Sequence, residues 1–160
     1  MALLGAGVAQ AQKSADEQAL LGHASDRWNG DLDGMLQRGF VRVLTTYNPI
    51  YFSYNGMQQR GLAVESARAL EKYLNKHYGR KGKRLHVLLM PVYRDQLFER
   101  LAAGEGDIAA ANLTVTPLRQ RLVKFSNPLY PGVSELVVTG PAAPKVASFD
   151  DLVRTGLHVQ

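Results

Sequence analysis

The sequence predicts an α/β fold with a mostly parallel sheet flanked by helices. β-rich and helix-periodic segments alternate as strand-helix-strand-helix-strand between residues 41 and 111. This order is typical of parallel strands joined by right-handed crossover helices. The second predicted strand, residues 85–90, is apolar almost throughout, which indicates a strand covered on both faces. Gly79 and Gly104 follow the two crossover helices and mark their ends.

The first twelve residues are predicted to be the remnant of a signal peptide. Residues 3–8 are apolar, and Ala9-Gln10-Ala11 matches the small-residue pattern of a cleavage site. The basic stretch that usually opens such a peptide is missing, so an apolar N-terminus without a targeting role stays open. A remnant of this kind predicts export to the periplasm.

Residues 13–39 are predicted to form an N-terminal helical segment. Ser14-Ala15-Asp16-Glu17 is a possible capping box for its first helix. A second short helix is expected over residues 31–38, where Gly39 ends it. The β-rich residues 41–46 then form the first strand.

An aromatic-rich segment, residues 49–54, follows the first strand and ends in the turn signal Asn55-Gly56. The most regular helical pattern covers residues 62–78. Its predicted buried face consists of Ala63, Ala67, Leu70, Leu74 and Tyr78. The basic loop at 80–84 suits either plain solvent exposure or contact with an anionic polymer.

The second half of the chain is predicted to continue in shorter elements. These are a helix marked by Tyr93, Leu97 and Leu101, a strand at 107–111, a helix at 118–122 and a strand at 133–139. Residues 140–144 are a linker by composition. Ser148 is the expected N-cap of a further helix, and a strand begins at 156–160. The chain stops on that strand, which indicates a truncated second domain.

A ligand site is predicted where the strands end. Sheets of this kind bind ligands beyond the carboxyl ends of their strands, here residues 45–47, 91–94 and 112–114. Thr116 is the expected N-cap of the next helix and Pro117 suits its first position. Arg119 adds a planar two-pronged donor, a combination that suits a carboxylate.

Arg119 has two competing interpretations at this level. It could be an ordinary surface cation, although a helix N-terminus is electrostatically poor for an arginine. Arg121 is the second candidate for the same role.

Composition and motifs exclude several other functions. The chain of 160 residues has no cysteine, so disulfides, thiol catalysis and cysteine-based metal sites are absent. Its four histidines lack metal-ligand spacing, and no cofactor is predicted. Residues 41–48 contain no glycine, which argues against a dinucleotide-binding enzyme. The net charge of +5 suits anionic partners, but no nucleic-acid signature accompanies it.

The pattern T-x-x-R-x-x-x-V-x-F-S-x-P at residues 116–128 and the segment Leu101–Ile108 resemble the amino-acid-type periplasmic solute-binding proteins. Residues 109–114, 137–141 and 148–152 resemble more closely the N-terminal binding module of membrane-bound lytic transglycosylase F-like proteins. The resemblance implies a two-lobed, hinged fold. Residues 40–140 would be its first lobe, and residues 141–160 the linker and the start of the second.

The resemblance also implies roles for individual residues. Arg119 would grip the ligand carboxylate, and polar side chains before it would donate hydrogen bonds, namely Asn112, Thr114 and Thr116. Aromatic residues after the first strand would pack on the ligand, which makes Tyr47, Tyr51 and Phe52 candidates, although core packing explains them as well. Transport-type members often carry Gly-Phe-Asp where this chain has Gly61-Leu62-Ala63, so an acidic group is missing there.

The function expected from these observations is a non-catalytic periplasmic lobe for a small carboxylate-bearing solute, an amino acid or a wall-derived peptide (muropeptide). It would regulate a lytic transglycosylase F-like protein that acts on peptidoglycan. The alternative is the receptor of an amino-acid ABC transporter, which would deliver solute to a membrane permease.

Overall fold

Strands and helices alternate along the computed structural model of the chain, which describes residues 22–79, 84–133 and 138–156. In chain order the elements are α1 (Leu32–Arg38), β1 (Phe40–Thr46), β2 (Ser53–Asn55), β3 (Gln58–Arg60), α2 (Leu62–Tyr78), β4 (His86–Val92), α3 (Leu97–Ala102), β5 (Ile108–Ala109), α4 (Pro117–Gln120) and α5 (Phe149–Thr155). The chain divides into two units, Met1–Ser126 and Asn127–Gln160.

β1 is the middle strand of a parallel three-stranded sheet with the order β4-β1-β5. Phe40 lies opposite His86 and Thr46 opposite Val92, while Val43 lies opposite Ile108. The predicted α/β class with a parallel sheet is therefore confirmed. Every residue of β1 is buried, whereas β4 is mostly half-buried. The apolar run of β4 predicted a strand covered on both faces, but most of its residues are only half-buried. Among the described residues β4 is an edge strand, because it pairs with β1 alone.

Helices pack on both faces of the sheet because successive β1 side chains point in opposite directions. Val41 and Val43 pack with Leu74 of α2 on one face. Leu44 packs with Leu97 of α3 on the other. Full burial of a leucine side chain stabilises a fold by about 2 kcal/mol, so these contacts hold the layers together.

Helix-end signals place α1 and α2 as the sequence predicted. The Asp31 carboxylate accepts a hydrogen bond from the backbone N–H of Gly34 at 3.1 Å, and Gly39 ends α1 with φ 86°. α2 runs from Leu62 to Tyr78 as expected. Tyr78, however, is 43% exposed, so its placement on the buried face was wrong. Val64 is buried instead, because the first turn of α2 packs on Phe52.

A buried ion pair links β1 to the residue just before β5. Arg42 is fully buried, and its Nη2 lies 2.9 Å from Asp107 Oδ1. The same guanidinium donates to the backbone carbonyls of Asp26 at 2.5 Å, Trp28 at 3.2 Å and Gly104 at 2.9 Å. The segment before α1 is thereby fastened to the sheet, a contact that sequence patterns did not predict.

The shorter elements have other bounds or exposures than the sequence predicted. Tyr93 is 74% exposed and precedes a 3-10 turn at Arg94–Gln96, so it does not belong to the buried face of α3. The third strand is limited to Ile108–Ala109. Just before it, the Asp107 N–H donates to the Arg42 carbonyl at 3.0 Å, and the Asp107 carboxylate accepts the Arg42 N–H at 2.7 Å. The helix expected at 118–122 is Pro117–Gln120.

Several sequence predictions fall outside the described residues. These are the signal remnant at 1–12, the capping box at 14–17, most of the basic loop at 80–84 and residues 157–160 of the strand predicted at 156–160. Of the strand predicted at 133–139, residues 134–137 also lie outside; Val133, Val138 and Thr139 are described and are not in a strand.

The unit Asn127–Gln160 contains α5. Ser148 is its N-cap, as predicted, and forms a reciprocal capping box with Asp151. Gly156 ends the helix with φ 61°. Across the described part of the chain, every helix is too short or too polar to cross a bilayer.

Candidate functional site

The ends of β1, β4 and β5 meet at one edge of the sheet, as the sequence predicted. The parallel register carries all three strands in the same direction, so their carboxyl ends lie together. Thr45 is buried there, and its hydroxyl donates to the backbone carbonyl of Ala110 at 2.8 Å. This bond fixes the start of the segment that leads to Arg119.

The segment after β5 turns through Asn112 and enters α4. Asn112 has φ 49°, a left-handed conformation that asparagine tolerates better than most residues. Thr116 is the N-cap of α4, as predicted, because its hydroxyl oxygen accepts the backbone N–H of Arg119 at 3.3 Å. α4 has only four residues, so its dipole is small and the anion-binding capacity of this region depends on side chains.

Arg119 is half-buried and held in a defined position. Its Nη1 donates to the backbone carbonyl of Thr114 at 2.9 Å. Its guanidinium carbon lies 5.1 Å from the centroid of the Phe98 ring, and Phe98 in turn lies 6.3 Å from Phe125. Among the described residues no carboxylate pairs with Arg119. A guanidinium has five N–H donors, so most of them remain available to an anion.

Arg94 is a second cation at this edge, and the sequence did not single it out. Its Nη1 donates to the Ala111 carbonyl at 3.1 Å and its Nη2 approaches the Asn112 carbonyl at 3.5 Å. Its position after β4 placed it at the predicted edge. The direction of its side chain depends on the 3-10 turn at Arg94–Gln96, which periodicity does not predict.

The aromatic candidates form one cluster with different exposures. Phe52 is 0% exposed and packs on Ala63 and Val64, so it offers no surface to a ligand. Tyr47 is 60% exposed and contacts Phe52 edge-on at 5.6 Å between centroids. Tyr54 also contacts Phe52 edge-on, at 5.3 Å. Phe52 therefore supports the rings of the two tyrosines.

Tyr51 joins this cluster to α2 through its backbone. Its carbonyl accepts the N–H of Ala63 at 3.0 Å, and its side chain is half-buried. A Cβ on Gly61 would lie 2.2 Å from that same carbonyl, and Gly61 has φ 123°. Glycine is thus required where the aromatic segment meets the start of α2.

The site has no metal-binding cluster among the described residues. His, Asp and Glu side chains do not come together there in groups that could hold a metal ion. Away from the site, burial lowers the pKa of Arg38, against the opposing charge of Asp107, and backbone N–H donors lower the pKa of Asp151.

Comparison with known proteins gives a family and several relatives. The profile of the bacterial extracellular solute-binding proteins, family 3, matches residues 41–153. A membrane-bound lytic murein transglycosylase F from Aeromonas hydrophila subsp. hydrophila is 30% identical over 125 residues, which are 78% of this chain and 23% of that protein. The chain thus spans about a quarter of the curated relative's length.

Solved structures with the same fold include two ancestral proteins. A crystal structure of an ancestral cyclohexadienyl dehydratase has a TM-score of 0.52 and 32% identity, and covers 66% of this chain and 41% of that chain. An ancestral cationic amino acid solute-binding protein has a TM-score of 0.51 and 32% identity, and covers 61% and 39% respectively. The likeness identifies the sheet and its helices as part of a periplasmic-binding-protein fold.

Proposed function

Because the chain belongs to the bacterial extracellular solute-binding proteins, family 3, we propose that it binds a small carboxylate-bearing solute without transforming it. The observation that carries this proposal is the state of Arg119. Its guanidinium is held by a carbonyl and an aromatic ring, yet no acidic side chain of the described residues neutralises it. A ligand carboxylate would supply the missing partner.

Polar groups around Arg119 would bind the polar end of the ligand. Thr116 uses its hydroxyl oxygen as the cap of α4, and its hydroxyl proton can still donate. The side chains of Asn112 and Thr114 are exposed at the same edge. These groups would complete the hydrogen bonds of a carboxylate that Arg119 binds with two parallel N–H bonds.

The apolar end of the ligand would lie against aromatic rings. Tyr47 follows β1 directly and is exposed at the edge where Arg119 lies. Tyr51, four residues further along the chain, is half-buried. In this proposal the buried Phe52 ring packs against the rings of Tyr47 and Tyr54 and does not touch the ligand.

The wider role follows from the relatives. Their name, membrane-bound lytic murein transglycosylase F, supports a regulatory binding module in a periplasmic or membrane-associated protein that acts on peptidoglycan. The ligand would then be an amino acid or a wall-derived peptide. The ancestral cationic amino acid solute-binding protein favours the alternative, a receptor that hands amino acids to a membrane permease.

The binding proposal is tested by titrating the 160-residue chain with amino acids and muropeptides and following amide chemical shifts by NMR. We expect at least one ligand to bind, and Arg119→Gln to weaken it by about tenfold or more, the loss typical of a charged hydrogen bond. Arg68→Gln is the matched control, because Arg68 is ion-paired with Glu65 on the exposed side of α2. Equal binding by the Arg119→Gln variant would overturn the proposal.

A further inference from the structure

We infer that the site selects a ligand with two negatively charged groups, one bound by Arg119 and the second by Arg94. The inference rests on the proposed function and specifies the class of its ligand. It arises from the way in which the two arginines are attached to the segment that follows β5.

Both guanidinium groups are tied to the same short segment. Arg94 donates to the carbonyl of Ala111 at 3.1 Å, and Arg119 donates to the carbonyl of Thr114 at 2.9 Å. Three residues of extended chain span at most about 11 Å, so the two anchoring carbonyls lie within that distance of each other. This upper limit is short enough for one small molecule with two acid groups to reach both anchoring positions.

The two cations differ from most described arginines in lacking an acidic partner. The ion-paired ones are Arg27, Arg38, Arg42, Arg68, Arg84, Arg100 and Arg154. Arg94 and Arg119 instead donate to backbone carbonyls, which orient a guanidinium but leave its charge uncompensated. Two oriented charges of the same sign on one segment favour a ligand that carries two of the opposite sign.

The acidic side chains between Arg94 and Arg119 in the sequence do not neutralise these two cations. Asp107 and Glu105 are engaged by Arg42 and Arg27 respectively. Asp95 and Glu99 are exposed on the 3-10 turn and α3, and neither forms an ion pair among the described residues. The charge at the site is therefore opposite to what a cationic amino acid side chain requires.

The arginine at position 94 could instead serve only to position the segment through Ala111. The two roles predict different outcomes for ligands that match in shape and differ in charge. Glutamate and glutamine form such a pair, because they differ only in the acid or amide at the end of the side chain. A lost charge contact affects glutamate alone, whereas a displaced segment affects both.

The test is calorimetric titration of the chain with both enantiomers of glutamate and of glutamine. We expect one enantiomer of glutamate to bind about tenfold more tightly than the matching glutamine. Arg94→Gln should abolish that preference and leave glutamine affinity unchanged, while Arg119→Gln should weaken both ligands. Arg68→Gln, the matched loss of charge on α2, should alter neither.

The contrary outcomes separate this inference from the proposed function. If glutamine binds as tightly as glutamate and Arg119→Gln weakens both, the second anionic group is refuted and carboxylate binding stands. If Arg94→Gln weakens both ligands equally, Arg94 is a positioning residue only and the inference fails. If another amino acid binds and glutamate does not, it fails likewise. If no carboxylate ligand binds at all, both proposals fail.

Discussion

The guanidinium of Arg42 and the carboxylate of Asp107 form a fully buried ion pair, with Nη2 2.9 Å from Oδ1. The two residues are 65 positions apart, and their pairing joins the middle of β1 to the residue that precedes β5. The pair lies at the amino end of β5, whereas the candidate site lies at the carboxyl end of the same strand.

Replacing Asp107 with asparagine should destabilise the chain strongly. The change leaves Arg42 buried without its counter-charge, and breaking one half of a buried pair costs about 3–5 kcal/mol. Urea unfolding followed by circular dichroism measures the effect. Asp95→Asn is the control, because Asp95 is exposed and should stay within about 0.5 kcal/mol of wild type. A small loss at Asp107 would mean that the carbonyl partners of Arg42 suffice.

Gly106→Ala should destabilise the contact between β1 and the segment before β5. An added Cβ would lie 2.4 Å from Cγ of Leu44, which is fully buried. Overpacking of this kind costs about 1–3 kcal/mol. Gly140→Ala is the control, since open space surrounds that position. Unchanged unfolding midpoints for both variants would contradict the close approach.

Phe52→Ala should cost about 3–5 kcal/mol of stability, the range for truncation of a buried aromatic residue. Tyr47→Ala should cost much less, because most of the Tyr47 side chain is exposed. Thermal unfolding of the two variants separates a core residue from a surface residue. The reverse order of stabilities would place Tyr47 in the core and Phe52 at the surface.

Phe98 should influence ligand affinity without touching the ligand. Its ring lies under the Arg119 guanidinium at 5.1 Å, and removal of the aromatic face frees that cation to move. We expect Phe98→Leu to weaken binding several-fold while Phe98→Tyr, which keeps the ring, restores it. Affinities come from the NMR titration described above. Equal affinities for the two variants would argue against positioning by the ring.

The stabilisation that ionised Asp151 gives to the start of α5 should be lost in acid. Backbone N–H groups at Ala147 and Ser148 and the Ser148 hydroxyl stabilise the ionised Asp151 and lower its pKa in the folded state. Since the folded pKa lies below the unfolded one, the stabilisation is present above the ordinary aspartate pKa of about 3.9 and is lost as pH falls through the folded value. An NMR titration of the Asp151 carboxyl carbon measures this. Ser148→Ala should raise the pKa; an unchanged value would contradict the capping contact.

The long elements could be predicted from sequence because local signals define them. Asp31 and Gly39 bracket α1, and the apolar face from Ala63 to Leu74 defines most of α2. The two-residue strand at Ile108–Ala109 could not be delimited, since its start depends on Asp107 binding a residue 65 positions away.

The candidate site was predictable only in part, for a similar reason. Thr116 and Pro117 are local signals that predict the start of α4. The side chain directions of Arg94, Phe98 and Phe52 follow from tertiary packing, which residue spacing does not encode. The sequence therefore indicated Arg119 and the edge of the sheet. It did not indicate Arg94 as a second cation there, or the Phe98 ring under the Arg119 guanidinium.

The carbonyls that Arg42 uses set a lower limit on the length of chain that can fold. A fragment trimmed to residues 41–153, the span of the family match, would discard Ala24, Asp26 and Trp28 and leave several guanidinium donors unpaired in the interior. A fragment that keeps all of these carbonyl partners must begin at or before Ala24. A fragment whose boundaries follow the family match alone would therefore lose contacts that this fold uses to satisfy a buried charge.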